Sequence, residues 1–83
     1  MQKEEKVPDE ISATEIVKKY SISYQTLNHY TNLGLLIAHG RRGFMRMYAE
    51  GEIRARLKKI KELKDRGYTL RAIADLIDSG GGT

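Results

Sequence analysis

Residues 12–36, SATEIVKKYSISYQTLNHYTNLGLL, decide how the rest of the chain is read. Ser12 and Glu15 have the S-x-x-E spacing of a capping box, in which each side chain satisfies the other residue's free amide. Ile11 and Ile16 flank that cap at staple positions. A helix is therefore expected from Ser12 to about Lys19, burying Ile16 and Val17. The stretch YSIS then makes a tight turn, and Ser23 caps a second helix, with Ile22 and Leu27 repeating the staple spacing. Gly34 ends it, because a glycine just past the last turn takes the left-handed conformation cheaply. Two short helices joined by a three- or four-residue turn make a helix-turn-helix candidate.

Beyond Gly34, LLIAHGRRGFMRMY (residues 35–48) is mostly apolar around Gly40 and Gly43, which predicts two strands about a basic tip from which Arg41 and Arg42 project. Met45 and Met47 would share one strand face, with Phe44, Arg46 and Tyr48 on the other. Residues 50–66 return to helical period: Ile53, Leu57, Ile60 and Leu63 form one apolar stripe. Gly67 stops that helix, and Thr69 caps a last short one with Leu70, Ile73 and Ile77 inward. The expected fold is mainly α: a winged helix-turn-helix with four helices and a two-stranded β-hairpin wing. The domain spans residues 11–78, between a flexible acidic leader (1–10) and a glycine-rich tail or linker (79–83).

The 83-residue chain has no cysteine, which excludes a disulfide framework and any thiolate metal site. No apolar run approaches the roughly 18 residues of a spanning helix, and the N-terminus lacks the apolar centre of a signal peptide. A soluble, cytoplasmic protein is expected. The net charge is +4, but the first ten residues are acidic, and no Asp or Glu occurs from Ile16 through Ala49. Lys18, Lys19, Arg41, Arg42 and Arg46 all lie in that stretch. A neutral solvated surface mixes both signs; a long one-sign stretch favours an anionic partner, nucleic acid first.

The second helix carries the most pointed pattern. At 100° per residue, Tyr24, Gln25, Asn28, His29 and Asn32 share one face, opposite Leu27 and Tyr30. An ordinary exposed face carries Lys and Glu, which keep helix propensity at little cost. Side-chain amides set a donor beside an acceptor and so match the adenine edge in the major groove. Tyr24, Gln25, Asn28 and His29 are the candidate base-reading residues; the alternative is that they merely solvate the face. Arg41, Arg42 and Arg46 are candidates for gripping phosphate, since guanidinium forks suit phosphate oxygens and such contacts position rather than specify. The alternative is a hairpin whose charges discourage edge pairing. Acids balance most of the basic residues of the third helix, which reads as a solvated face.

Nothing in the sequence proposes catalysis. His29 and His39 are the only histidines, and no phosphate-binding or dinucleotide-binding fingerprint occurs. No metal or cofactor is expected, and the chain reads as a binding module.

The order helix-turn-helix, wing, long helix, short helix resembles the DNA-binding domain of the MerR family. Thr26, Leu27, Tyr30, Gly34, Leu35 and Leu36 stand in its T-L-x-x-Y-x-x-x-G-L-L pattern, and RMYAEGEIRARLKKIKELKDRGYTLRAIADLI (46–77) resembles the later part of that domain. The resemblance covers about residues 11–77. It implies a bacterial winged-helix transcription regulator bound to double-stranded DNA, dimeric in full length or on DNA. Backbone contacts are then expected from Ser23, Lys18, Arg41, Arg42, Arg46, Tyr48 and Arg54. The chain departs from the family pattern where Gln25 and Asn28 replace Arg, His29 replaces Tyr, Thr31 replaces Glu, and Ala49 takes the cap position of the long helix. Two other readings stay open: a module binding an acidic, DNA-mimicking protein, and an excisionase-like architectural DNA binder. The isolated chain is expected to be mainly monomeric.

Overall fold

The computed structural model describes residues 9–81. Seven elements occur in the order β1 (Glu10–Ser12), α1 (Ala13–Tyr20), α2 (Tyr24–Asn32), β2 (Gly40–Arg42), β3 (Met45–Ala49), α3 (Glu50–Asp65) and α4 (Leu70–Gly81). The winged helix-turn-helix is as expected. Of the leader, residues 1–8 lie outside the described region. Tail residues 79–81 continue α4 as helix.

Local signals account for most helix ends. Both capping-box bonds of α1 form: the Glu15 amide donates to Ser12 Oγ at 3.2 Å, and the Ser12 amide to Glu15 Oε1 at 2.9 Å. The turn to α2 passes through Ser21, whose φ of 55° is unusual for a residue with a Cβ. Ser23 Oγ then accepts the Thr26 amide at 3.0 Å and starts α2. At the far end, the Leu35 amide reaches back to the Tyr30 carbonyl (2.9 Å) and the Gly34 amide to that of Thr31 (3.1 Å). This is the double closure of a Schellman motif, with Gly34 at φ 83° supplying its left-handed residue. The same pair of bonds recurs after α3, from Tyr68 to Leu63 and from Gly67 to Lys64. Thr69 caps α4 through the Ala72 amide at 3.1 Å.

The sheet differs from a plain hairpin. β3 is central, paired antiparallel with β2 on one side and with β1 on the other. The third strand, EIS, is too short to show alternation, and its partner lies beyond the whole helix-turn-helix. In the β2–β3 register Arg42 stands opposite Met45, leaving a two-residue loop of Gly43 and Phe44. Of the two loop residues only Gly43 has positive φ (65°), the pattern of a type II′ turn. The wing tip is therefore glycine and phenylalanine. Arg41 and Arg42, expected to project from the loop, lie on strand β2.

The start of α3 shows a second long-range device. Its N-cap, Ala49, has no side chain able to accept a hydrogen bond. Asp9 fills the place: its carbonyl accepts the Glu50 amide at 2.8 Å, and its Oδ2 accepts the Gly51 amide at 2.9 Å. Glycine at position 51 leaves room for this approach, since a Cβ there would lie 3.1 Å from Asp9 Oδ2. Asp9→Ala should lower stability by about 1 kcal/mol, the ordinary value of an N-cap side chain, with Asp9→Asn recovering most of it. Urea midpoints would show this; equal midpoints for wild type and Asp9→Ala would mean that the cap is not used.

The core joins every helix to the sheet: Ile11 from β1, Ile16 from α1, Leu27 and Tyr30 from α2, Tyr48 from β3, Ile53, Ile60 and Leu63 from α3, and Ile73 from α4. Leu35 and Leu36 enter it directly after the Schellman turn. The third-helix stripe is as the spacing predicts, with Leu57 packed against the cluster.

Candidate nucleic-acid interface

α2 presents the polar face that its sequence implies. Leu27 and Tyr30 are buried, while Tyr24, Gln25, His29 and Asn32 are exposed. Asn28 is half-buried, and the reason is Arg46: its guanidinium donates to Asn28 Oδ1 across the gap from β3. Two residues further along β3, the Tyr48 hydroxyl meets Thr31 Oγ1 at 2.8 Å. Residues 46 and 48 share a strand face, and residues 28 and 31 share a helix face. The wing is thus joined to α2 by two rungs.

Proton counting gives the direction of the second rung. Thr31 Oγ1 lies 2.8 Å from the Leu27 carbonyl and spends its only proton there. Tyr48 must therefore donate to Thr31. The sequence puts Tyr48 among the backbone-contacting residues; in the structure it is 1% exposed and its hydroxyl is engaged inside the fold. Alternation alone puts it on the Arg46 face, and α2 covers that face. The same contact gives Thr31 a role, because a small hydroxyl fits between the tyrosine and the helix carbonyl. Asn28 keeps part of its hydrogen-bonding capacity, since an amide oxygen has a second lone pair and the NH2 group has no partner among the described hydrogen bonds.

The remaining candidates fall into two surroundings. On the wing, Arg41 is exposed, and Arg42 donates to Glu10 Oε1 at 2.7 Å while its side chain stays 70% exposed. Lys18 lies instead in a shallow groove with Glu10, Glu15, Lys19 and Glu50, so carboxylates surround it. Arg54 belongs to a cluster at the start of α3. There Glu50 accepts from Lys19 Nζ and from the Tyr20 hydroxyl, the latter at 3.0 Å. The bond from Lys19, then that from Tyr20, holds the Glu50 carboxyl below its ordinary pKa. Tyr20 also raises the pKa of Arg54. Ser23 has its hydroxyl committed to the cap, accepting from Thr26 N and donating to Thr26 Oγ1 at 2.9 Å. Sequence reading misses three partners, Glu10, Asp9 and Asn28, all of which pair across long stretches of chain. It also misses His39, which bonds Glu52 at 2.9 Å beside the root of the wing.

Residues 11–80 match the family model described as MerR HTH family regulatory protein. The chain belongs to the MerR family. No curated protein and no solved structure matches it. Membership makes the domain a DNA-binding helix-turn-helix of a transcription regulator, and the two-rung junction is how this MerR-family domain fixes its wing against α2. Among the described residues, no helix is long and apolar enough to cross a membrane.

Proposed function

We propose that this domain binds double-stranded DNA sequence-specifically, with α2 in the major groove and the wing on the phosphate backbone, as part of a cytoplasmic, nucleoid-associated regulator. One observation carries the reading: a solvent face of amides, imidazole and phenol, free of carboxylates, stands beside an arginine-bearing hairpin and is bonded to it through Arg46 and Asn28. Gln25 and Asn28 read base edges, Tyr24 covers a thymine methyl or reaches phosphate, and His29 donates to a phosphate oxygen. Arg41 and Arg42 supply most of the phosphate grip, with Arg42 exchanging Glu10 for the backbone. Lys18 and Arg54 contribute less, because Lys18 shares its groove with Glu10, Glu15 and Glu50 and Arg54 is engaged first with Tyr20 and then with Glu50. Ser23 contributes by fixing the start of the reading helix.

One helix and one wing make few phosphate contacts, so a single copy should bind weakly, with non-specific Kd on the order of 10⁻⁴–10⁻⁶ M. A dimer would read half-sites about 34–36 Å apart or a multiple of that. The test is selection from random duplex DNA with the chain fused to a dimerising helix. An enriched inverted repeat supports the proposal; failure to bind at low salt would favour an acidic protein partner instead. Cooperative binding to adjacent sites without two-fold symmetry would indicate an architectural role. A narrower expectation concerns Arg41: Arg41→Ala should lower the slope of log K against log salt by about 0.9, one phosphate contact's worth. An unchanged slope in a titration from low to moderate salt would take Arg41 off the backbone.

A further inference from the structure

Phe44 is 99% exposed at the tip of the wing, the most exposed large apolar side chain among the described residues. The turn does not need it: a type II′ loop requires glycine at its first position and tolerates small polar residues at its second. At 99% exposure the ring adds nothing to the domain's own packing. Its neighbourhood identifies the occupant. Arg41 and Arg42 precede it on β2 and Arg46 comes after it on β3. No acid occurs in the sequence for 28 residues before it or for five after it. An apolar tip on a basic arm is complementary to a polyanion with an apolar interior, which describes a base stack between phosphate rails.

Position sharpens this. Arg46 touches Asn28 on the reading face, and Phe44 lies two residues further out, about 7 Å at strand rise. With α2 in the major groove, the tip passes the phosphate rail and faces the adjoining minor groove. We propose that Phe44 is an apolar wedge that enters this minor groove and packs against sugars and the edge of a base step. The proposal rests on the DNA-binding reading above. Inserted phenylalanines partly unstack a step and kink the duplex towards the major groove, most easily at TA or CA/TG steps. The wing would then contribute shape readout at a position α2 never touches.

The chain is titrated into a mixed-sequence 24-base-pair duplex at low salt, with fluorophores on both ends to report bending. Phe44→Ala should weaken binding about tenfold, lower the end-to-end energy transfer of the complex and leave the salt slope unchanged. Phe44→Leu should retain most of both. Netropsin, which fills A·T minor grooves, should weaken the wild type towards the Phe44→Ala level and change that variant little. Equal affinity and equal bending for wild type and Phe44→Ala would overturn the wedge while leaving DNA binding intact. Salt-sensitive binding with a flattened slope in Phe44→Ala would also overturn it, since the ring would then act only by placing arginines. If the wild type binds no duplex at low salt, both readings fall together, and loss of an acidic protein's binding in Phe44→Ala would assign the ring to that partner. Circular dichroism controls for folding, and the side chain's exposure makes a folding defect unexpected.

Discussion

Tyr48→Ala should bring this domain to the edge of unfolding at 25 °C. The ring is 1% exposed at the meeting of β3 and α2, and truncating a buried aromatic to alanine costs about 3–5 kcal/mol. A chain of this length has total stability on the order of 4–12 kcal/mol. The melting temperature should fall by more than about 12 °C, given roughly 4–8 °C per kcal/mol for small domains. A fall of only a degree or two by circular dichroism would remove Tyr48 from the core. Tyr48→Phe separates the hydroxyl from the ring. Thr31 keeps its bond to the Leu27 carbonyl, so the loss should be about 1 kcal/mol, one ordinary hydrogen bond. DNA affinity of the folded Tyr48→Phe protein should equal that of wild type. A phosphate-contacting tyrosine would behave the opposite way, with weaker binding at unchanged stability.

The second large effect is on specificity. Gln25→Ala/Asn28→Ala should reduce preference for a selected duplex by between about 30-fold and roughly 20,000-fold, since each bidentate amide–base pair discriminates by roughly 1–3 kcal/mol. Binding to mixed-sequence DNA at low salt should change little, because the arginines remain. The comparison needs both duplexes at one salt concentration, and equal losses on the two would mean that the amides do not read bases. Arg46→Ala falls between these cases: it removes a charge from the wing and frees the Asn28 amide from the bond that orients it. It should therefore lower both affinity and preference, whereas Arg41→Ala should lower affinity alone.

What can be read from the sequence divides by distance along the chain. The capping box at Ser12 and Glu15, the caps at Ser23 and Thr69, and the stops at Gly34 and Gly67 each involve residues within a turn of one another. All are found as the spacing implies. The exposed face of α2 comes from 3.6-residue periodicity and is likewise where expected. The long-range devices are hidden. Asp9 looks like one more charge in an acidic leader, and only the fold shows that it stands where Ala49 has no side chain to cap α3. Glu10 and Arg42 are bonded although they lie on strands that do not touch. Alternation puts Arg46 and Tyr48 on one face correctly, but a period of two cannot say that a helix covers that face. Arginine at the wing is legible; phenylalanine at its tip requires the register.

The β1–β3 ladder has a kinetic consequence. Its paired ends, Glu10 with Ala49 and Ser12 with Met47, enclose both helices of the helix-turn-helix. Closing that loop costs chain entropy before the pairing returns anything. Short helices such as α1 and α2 are marginal alone, so α2 acquires its lifetime only when the ladder shuts. Opening the ladder would release α1 and α2 as a unit, and slow-exchanging amides in α2 should report the same opening free energy as those in β3.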